Sequence, residues 1–292
     1  MIAQQALITE HGPIAFWDAR HGVLAARSCS AKCGSGTISL TSDGGRTFRV
    51  VLRTAQPVDS LQAVGSDGVL AQFDNGRALR TLNRGRTWRP FRLRFGASFA
   101  TRKIGLGFRT SFLRNHLRLE VLATSDGGRT WRRRASPCVQ AVAWSVLVDL
   151  VTQHRGWLVC LGQPGVGNEE KAVFRTTDGG RTWRAGAEIV MYPQRRSHGG
   201  IWSYGYPQGV SFAPDGFGIL WESRGTLFVT RDNGRNWTAK PKVAQPEIDF
   251  GEGAAALPHG FGFVLLGRGA GPARLIVTKD YGRTWRVVHR WL

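Results

Sequence analysis

Residues 186–209, GAEIVMYPQRRSHGGIWSYGYPQG, form the stretch of this sequence whose side chains are best suited to holding a ligand. The stretch contains three of the four tyrosines of the chain, one tryptophan, one histidine and two adjacent arginines. Aromatic faces and guanidinium groups hold sugar rings, peptides and anionic groups. The alternative is a long connection that folds over its own domain and buries its aromatic rings. The candidate ligand-binding residues in this stretch are Arg195, Arg196, His198, Trp202, Tyr204 and Tyr206.

Carboxylates in other short polar segments raise a second possibility, the hydrolysis of a glycosidic bond. That reaction requires two carboxyl groups at a defined separation, one acting as acid and the other as base or nucleophile. No spacing marks two of the available acids as partners, so hydrolysis is the alternative to binding. The acids are Asp74, Glu169, Glu170 and Glu222, and Glu170, Glu222 and Arg268 are also candidate contacts of a bound ligand.

The most frequent pattern is an eight-residue phrase that occurs six times, with TTDGGRTW at 176–183 as one copy. A tight turn explains its composition. The acid can accept hydrogen bonds from backbone N–H groups, the fifth-position glycine can adopt a positive φ, and the aromatic ring can bury roughly 150–250 Å². The phrase is therefore predicted to be structural and not catalytic, and we call it the repeat turn. Its third positions are Asp43, Asn83, Asp126, Asp178, Asp232 and Asp280.

Successive third positions are 40 to 54 residues apart, a period typical of propeller blades. A glycine followed by an apolar run precedes each repeat turn, and further short β-type runs lie between them. Each unit is thus predicted to contain four antiparallel strands, A to D, with the repeat turn between C and D. The A–B and repeat turns then share one face (the turn face), and the B–C loops and D–A connections share the other (the loop face).

The pattern [ST]-x-D-x-G-x-[TS]-[WF] resembles the Asp-box, or BNR, repeat of sialidase-like β-propellers. The resemblance implies an all-β, six-bladed propeller that covers residues 1–292 as a single domain and handles ligands on the loop face. Sialidases also have three arginines around a carboxylate, a Tyr–Glu nucleophile pair, an Asp acid and an Arg-Ile-Pro stretch, and this sequence shows no such set. Its units are similar to those of the photosystem II assembly-factor-like propellers, which implies a non-enzymatic scaffold that binds a protein segment or a glycan.

The net charge of +20 suggests attraction to anionic partners. Eleven of the arginines follow the period of the repeat and form no single basic patch, so specific nucleic-acid binding is not expected. No apolar run has the length of a transmembrane helix. We expect a monomer without metal or cofactor, whose protein or glycan ligand could be anionic.

The four cysteines bear on the compartment. Cys29 and Cys33 lie in the first unit and Cys138 and Cys160 in the fourth, on opposite sides of a six-membered ring, which excludes a shared zinc site. The simplest pairing is Cys29–Cys33 and Cys138–Cys160, which favours an extracytoplasmic location. Four free thiols in the cytoplasm are the alternative. The start of the sequence has no signal-peptide pattern.

Overall fold

Six antiparallel sheets, arranged as the blades of a β-propeller, make up the computed structural model of the chain. It describes residues 8–29, 33–113, 116–138, 144–191, 195–223, 225–240, 250–267 and 271–291. Within these ranges there are 25 strands and one 3₁₀ turn, Pro258–Gly260. No helix of the described segments could span a membrane. The predicted all-β class and six four-stranded blades are confirmed, and blade four has a fifth strand at its outer edge.

The strands follow the predicted A–D order within every blade. Blade one consists of β1 Ile8–Phe16, β2 Gly22–Cys29, β3 Cys33–Thr41 and β4 Arg49–Thr54. Blade two consists of β5 Ser60–Val64, β6 Gly68–Gln72, β7 Arg77–Thr81 and β8 Arg89–Arg92. Blade three consists of β9 Gly96–Phe99, β10 Gly105–Leu113, β11 His116–Thr124 and β12 Arg132–Arg134. Blade four consists of β13 Ser145–Leu150, β14 Gly156–Leu161, β15 Lys171–Thr176, β16 Arg184–Val190 and β17 Arg196–His198. Blade five consists of β18 Pro207–Phe212, β19 Gly218–Glu222, β20 Leu227–Thr230 and β21 Thr238–Ala239. Blade six consists of β22 Phe250–Ala256, β23 Gly262–Gly267, β24 Ala273–Thr278 and β25 Arg286–Trp291.

The core consists of six apolar clusters, one between each pair of neighbouring blades. The B strands pack on both sides, and in β14 and β23 every residue is buried. This explains the continuous apolar runs in the sequence, because a strand covered on both faces has no solvent-facing side chains. Each cluster includes the aromatic residue of one repeat turn, namely Phe48, Trp88, Trp131, Trp183, Trp237 or Trp285.

The ring closes by packing blade six against blade one. The rings of Phe16 and Phe263 stack with their centroids 3.8 Å apart, and His289 Nδ1 lies 2.8 Å from the carbonyl oxygen of Arg46. Every sheet of the described residues contains only strands that are consecutive in sequence. Among the described strands, the ring therefore closes by side-chain packing, and no strand is exchanged between blades.

Each repeat turn is held by the same hydrogen bonds. In blade four the Thr176 hydroxyl donates to Asp178 Oδ1 (2.8 Å) and accepts the Gly180 N–H (2.8 Å). The N–H and hydroxyl of Thr182 donate to Oδ1 (2.9 Å) and Oδ2 (2.6 Å) of Asp178. Burial opposes ionisation of Asp178, but these donors outweigh it and lower its pKa to about 2. The carboxylate is thus fully used within the turn.

Two departures from the phrase keep these bonds with other atoms. Asn83 Oδ1 accepts the Thr87 N–H (3.0 Å), and its Nδ2 donates to the Thr87 hydroxyl (2.9 Å), which reverses the direction of that bond. In blade five Asn236 replaces the hydroxyl and donates from Nδ2 to Asp232 Oδ2 (2.7 Å). A side-chain oxygen acceptor at the third position is therefore sufficient, and a charge is not required.

Candidate functional site

The loop face of blade four is built from two segments that bond to each other. The first is the B–C hairpin 162–170, and the second is the part of the D–A connection from 201 to 206. The Glu169 N–H donates to Ser203 O (2.8 Å), and the Gly205 N–H donates to Gly167 O (2.9 Å). The Tyr206 hydroxyl accepts the Gly167 N–H at 2.7 Å. Backbone contacts thus fix the connection against the hairpin.

The buried side chain of Lys171 contacts this connection from inside the blade. Its side chain has no solvent exposure, and its Nζ lies 2.9 Å from Glu222 Oε1. Four consecutive carbonyl oxygens surround the same ammonium group at 2.9 to 3.4 Å, those of Trp202, Ser203, Tyr204 and Gly205. The first residue of β15 therefore holds the connection through its terminal nitrogen.

The protonation of this cluster follows from its burial. Burial lowers the pKa of Lys171, whereas Glu222 and Glu169 raise it. The four carbonyl oxygens, which can only accept, also favour the protonated amine. Burial raises the pKa of Glu169 to about 7, and the nearby Lys171 opposes that rise. Burial likewise raises the pKa of Glu222 to about 7, and Lys171 opposes that rise. We therefore assign a lysine cation beside two carboxyl groups that titrate near neutrality, Glu222 and Glu169, and we call these three side chains the Lys171 cluster.

Five large apolar or aromatic side chains are exposed around the hairpin, and we call them the blade-four patch. The backbone N–H of Trp144 donates to Leu161 O (2.9 Å), immediately before the hairpin. The Met191 N–H donates to Glu170 Oε1, and Tyr204 forms a β-bridge with Asn168. The exposed fractions are 44% for Trp144, 101% for Val166, 41% for Met191, 40% for Trp202 and 48% for Tyr204.

Val166 occupies a backbone conformation that suits it poorly. Gly165 and Asn168 exchange both backbone hydrogen bonds (2.9 Å each), so Val166 and Gly167 form a two-residue hairpin turn. Both have positive φ, 50° and 81°. Asparagine and glycine are the residues favoured in such a turn, and a β-branched residue there is strained. The tip of the hairpin thus holds an unfavourable and fully exposed valine.

The structure separates the candidate ligand-binding residues of the connection. Trp202, Tyr204 and Tyr206 lie on the loop face beside the hairpin. Arg196 and His198 lie instead in β17, the outermost strand of blade four, with Arg195 exposed just before it. Arg196 Nε donates to Glu188 Oε1 (2.9 Å), and His198 Nε2 donates to Gly186 O (2.6 Å). Since β17 pairs with a D strand, these residues lie at the rim and away from the channel.

The remaining candidates differ in accessibility. Glu222 is completely buried against Lys171, so it does not contact a ligand at this surface. Glu170 is partly exposed and accepts the Met191 N–H at the edge of the blade-four patch. Arg268 lies outside the described residues. Of the acids considered for hydrolysis, Glu169 is 7% exposed and Glu222 0%, and both belong to the Lys171 cluster, so they do not face each other across the channel. Asp74 does line the channel.

Besides Asp74, the central channel contains acids that the sequence analysis did not single out. It encloses about 1010 Å³ and is lined by the six A strands, with Asp59, Asp74, Asp149, Glu252 and Arg27 among its residues. Burial raises the pKa of Asp149 to about 7, although hydrogen bonds from the Phe212 N–H, Gln62 and Ser98 oppose that rise. Burial also raises the pKa of Asp59 and Glu252, whereas Arg27 lowers both.

These channel residues have a structural task as well. In three pairs of neighbouring blades, a side chain links the two A strands. The side chain of the next-to-last residue of one A strand accepts the backbone N–H of the last residue of the A strand in the following blade. Ser98 Oγ accepts from Leu150 N (2.7 Å), Asp149 Oδ2 from Phe212 N (2.6 Å) and Ser211 Oγ from Ala256 N (3.0 Å). The shared position is visible in the sequence once the strand ends are known. Asp149 is thus part of the contacts that hold neighbouring blades together.

Within the described residues, three arginines converge on one carboxylate at Glu120. Arg109 and Arg133 pair with its two oxygens, and Arg118 Nε is 3.7 Å from Oε1. All four residues belong to the B, C and D strands of blade three, and none lines the channel. This cluster is occupied by the chain's own carboxylate and offers no sialidase-like site.

The structure contains a disulfide bond between Cys138 and Cys160, with Cα atoms 5.5 Å apart. It ties the connection entering blade four to the fully buried end of β14. Cys29 is also disulfide-bonded, and Cys33 lies opposite it in the β2–β3 register. The Cys33 side chain lies outside the described part of the structure. No described cysteine is free.

The fold defines the chain as a six-bladed β-propeller, and the solved structures it resembles are propellers with different activities. The fucose-binding lectin of the fungus Aleuria aurantia matches with a TM-score of 0.60 at 11% identity, over 96% of this chain and 95% of the lectin. The GH74 xyloglucanase of Xanthomonas campestris matches with a TM-score of 0.52 at 15% identity, over 94% of this chain but only 47% of the enzyme. YCF48 from Cyanidioschyzon merolae matches at 14% identity with a TM-score of 0.47, over 97% of this chain and 85% of that protein.

These identities establish the fold and no activity. No protein-family model matches the sequence, and no curated protein matches it.

Proposed function

We propose that this chain is a non-enzymatic Asp-box propeller that binds a protein segment on the loop face of blade four. The single observation behind the proposal is the blade-four patch. Five of the seven large hydrophobic side chains exposed in the described residues lie around one hairpin. Exposed apolar groups clustered in this way mark interaction sites, whereas isolated ones need no explanation. The other two, Val50 and Val287, lie in D strands of different blades.

The surroundings of the patch also support a binding role. The connection that carries Trp202 and Tyr204 is fixed by the Lys171 cluster, and a rigid surface loses less conformational entropy when it binds. The backbone strain at Val166, on the hairpin tip, supports a use beyond folding. Valine and methionine suit the apolar side chains of a peptide better than a sugar, so we favour a protein segment over a glycan.

The assignment to the Asp-box, sialidase-like and photosystem II assembly-factor-like propellers is part of this proposal. It is supported by the repeat-turn hydrogen bonds, which recur in all six blades with the third-position side chain as acceptor. YCF48 has been solved bound to a D1 peptide. That complex, with a TM-score of 0.29, carries no weight for this chain.

A peptide library displayed on phage and a glycan array, each probed with the folded chain, test the proposal. We expect enrichment of peptides with apolar anchors and loss of binding in the double variant Trp202→Ala/Tyr204→Ala. The variant Val50→Ser/Val287→Ser is the matched control, since it removes two exposed apolar side chains outside the patch. Binding to glycans alone, or equal loss in the control, would overturn the assignment. So would the release of aglycone from a panel of aryl glycosides that includes a sialoside.

We also propose an extracytoplasmic location, in which the Cys138–Cys160 bond and a Cys29–Cys33 bond persist. Peptide mapping of protein alkylated in its native host, without reductant, tests this location. Recovery of all four cysteines as free thiols would place the chain in a reducing compartment.

A further inference from the structure

Four arginines converge where blades four and five meet on the turn face. Arg175 immediately precedes the threonine of the blade-four repeat turn and lies directly opposite Arg184 in the β15–β16 register. Arg155 lies in the A–B turn of the same blade, and Arg235 lies in the repeat turn of blade five. The electrostatic neighbours of Arg175 are these other three arginines.

Direct contacts between the two blades impose this arrangement. Trp157 Nε1 donates to Asn233 O (3.0 Å), and the Ala187 N–H donates to Gly234 O (3.0 Å). Trp157 is also the cross-strand neighbour of Arg175. The repeat turn of blade five is therefore held against strands β14 and β16, and Arg235 is brought beside Arg175 and Arg184.

This arrangement is unfavourable in the ligand-free protein. Like charges directly opposite each other in a sheet are destabilising. In the described part of the chain, no carboxylate lies within 4.0 Å of any of the four guanidinium groups. Arg175 Nε is buried without a hydrogen-bond partner among the described residues. Burial lowers the pKa of Arg175, and the three neighbouring cations add to the effect.

The fold does not require an arginine at this position. The equivalent residue before the repeat-turn threonine is apolar in four other blades, where it is Leu40, Ala123, Val229 or Val277. Blade two has Arg80, but its guanidinium lies 4.4 Å from the centre of the Phe91 ring and so has a partner. Arg175 therefore carries a cost that the repeat turn itself does not explain.

We propose that Arg155, Arg175, Arg184 and Arg235 form a binding site for a phosphate group. Guanidinium groups bind phosphate oxygens through paired N–H donors and do not lose their charge when partly buried. A dianion held by the outer guanidinium nitrogens would neutralise the mutual repulsion of the cluster. The site lies on the turn face, so it is separate from the proposed partner surface on the loop face.

The first test compares thermal unfolding in sodium phosphate with thermal unfolding in sodium chloride at the same ionic strength and pH. Calorimetric titration with phosphate then measures the affinity. Phosphate should raise the melting temperature of the native chain. Arg175→Gln and Arg235→Gln should each weaken phosphate binding at least tenfold. The matched control is Arg283→Gln. Arg283 is the equivalent repeat-turn arginine of blade six, and the residue of blade five that corresponds to Arg175 there is Val229. The Arg283→Gln variant should retain native affinity.

The melting temperature of Arg175→Gln in chloride separates ligand binding from a purely structural role, because loss of a structural contact would lower it. Because the substitution removes an unpaired buried donor and a like-charge contact, it should raise the melting temperature in chloride while abolishing the gain in phosphate. A melting temperature that is equal in the two salts for the native chain would overturn the proposal. Equal loss of phosphate affinity in Arg283→Gln would overturn it too, since diffuse charge would then explain the binding.

The source of the phosphate group is distinguished by co-sedimentation with vesicles of phosphatidylcholine containing phosphatidic acid. Sedimentation that is lost in Arg175→Gln but kept in Arg283→Gln supports the site and identifies a lipid headgroup. Binding of free phosphate without sedimentation supports the site and identifies a soluble phosphorylated ligand. Sedimentation that both variants retain equally would contradict a role for this site in membrane attachment.

Discussion

Replacement of Lys171 by methionine tests whether its ammonium group holds the loop face of blade four. The substitution keeps an unbranched chain as far as the Cε atom but removes the ammonium partner of Glu222 and of four carbonyl oxygens, in a position with no solvent exposure. Breaking a buried ion pair by removing one partner costs about 3–5 kcal/mol, because the remaining group is left unpaired. We therefore expect Lys171→Met to lose about 3–5 kcal/mol of unfolding free energy.

A double-mutant cycle isolates the charge contribution. Glu222→Gln leaves the ammonium with its four carbonyl acceptors, so its cost should be smaller, about 1–3 kcal/mol. Lys171→Met/Glu222→Gln removes both charges and should be more stable than Lys171→Met alone by about 2 kcal/mol. Urea unfolding followed by tryptophan fluorescence measures all four proteins. The reasoning fails if Lys171→Met stays within about 0.5 kcal/mol of the native chain or if the two single effects simply add.

Four further predictions follow from the described contacts. Asp178→Ala should cost about 1–3 kcal/mol in urea unfolding, and Asp178→Asn should cost less, because Asn83 serves the same turn; equal costs would contradict the acceptor role. Burial raises the pKa of Asp149 to about 7, so the folded chain holds a proton between about pH 4 and 7 that the unfolded chain has released, and stability falls as pH rises through that range. Asp149→Asn should therefore show a smaller fall in melting temperature from pH 5 to pH 8, and an unchanged fall would refute this. Val166→Asn should raise stability by about 1 kcal/mol while weakening partner binding, since Asn-Gly suits the turn; unchanged binding would remove Val166 from the interface. Loss of the Cys138–Cys160 bond, which spans 22 residues, should cost about 3 kcal/mol in the double alanine variant, and unchanged thermal unfolding would show that this bond is not structural.

The fold could be predicted from the sequence because the residue types of the repeat turn specify its backbone geometry. The third-position acceptor and the fifth-position glycine define one tight turn, and its six copies define six blades. The fifth strand of blade four was not predicted. It pairs with β16 through the backbone, and Arg196 and His198 add side-chain bonds to β16 that no periodic pattern in the sequence marks.

The candidate site was predicted only in part, because burial is not readable from loop position. Trp202 and Tyr204 are exposed on the loop face as expected, but Glu222, in an equally polar segment, is buried by a lysine 51 positions earlier in the chain. Trp144, Val166 and Met191 were missed because each stands alone in the sequence, and only the hairpin brings them together. Asp149 was not singled out because its role depends on the neighbouring blade.

Most of the arginines in this chain need no ligand, which is why the cluster around Arg175 stands out. Arg49, Arg89, Arg132 and Arg286 each open an outermost strand, whose free edge could pair with another molecule. Charged side chains on such edges oppose edge-to-edge association, so this part of the net charge protects four of the sheet edges. Arg175 lies in an inner strand that is paired on both sides and has no edge to protect. Its charge therefore calls for a different explanation, and an anion is the partner that such a cluster of cations would bind.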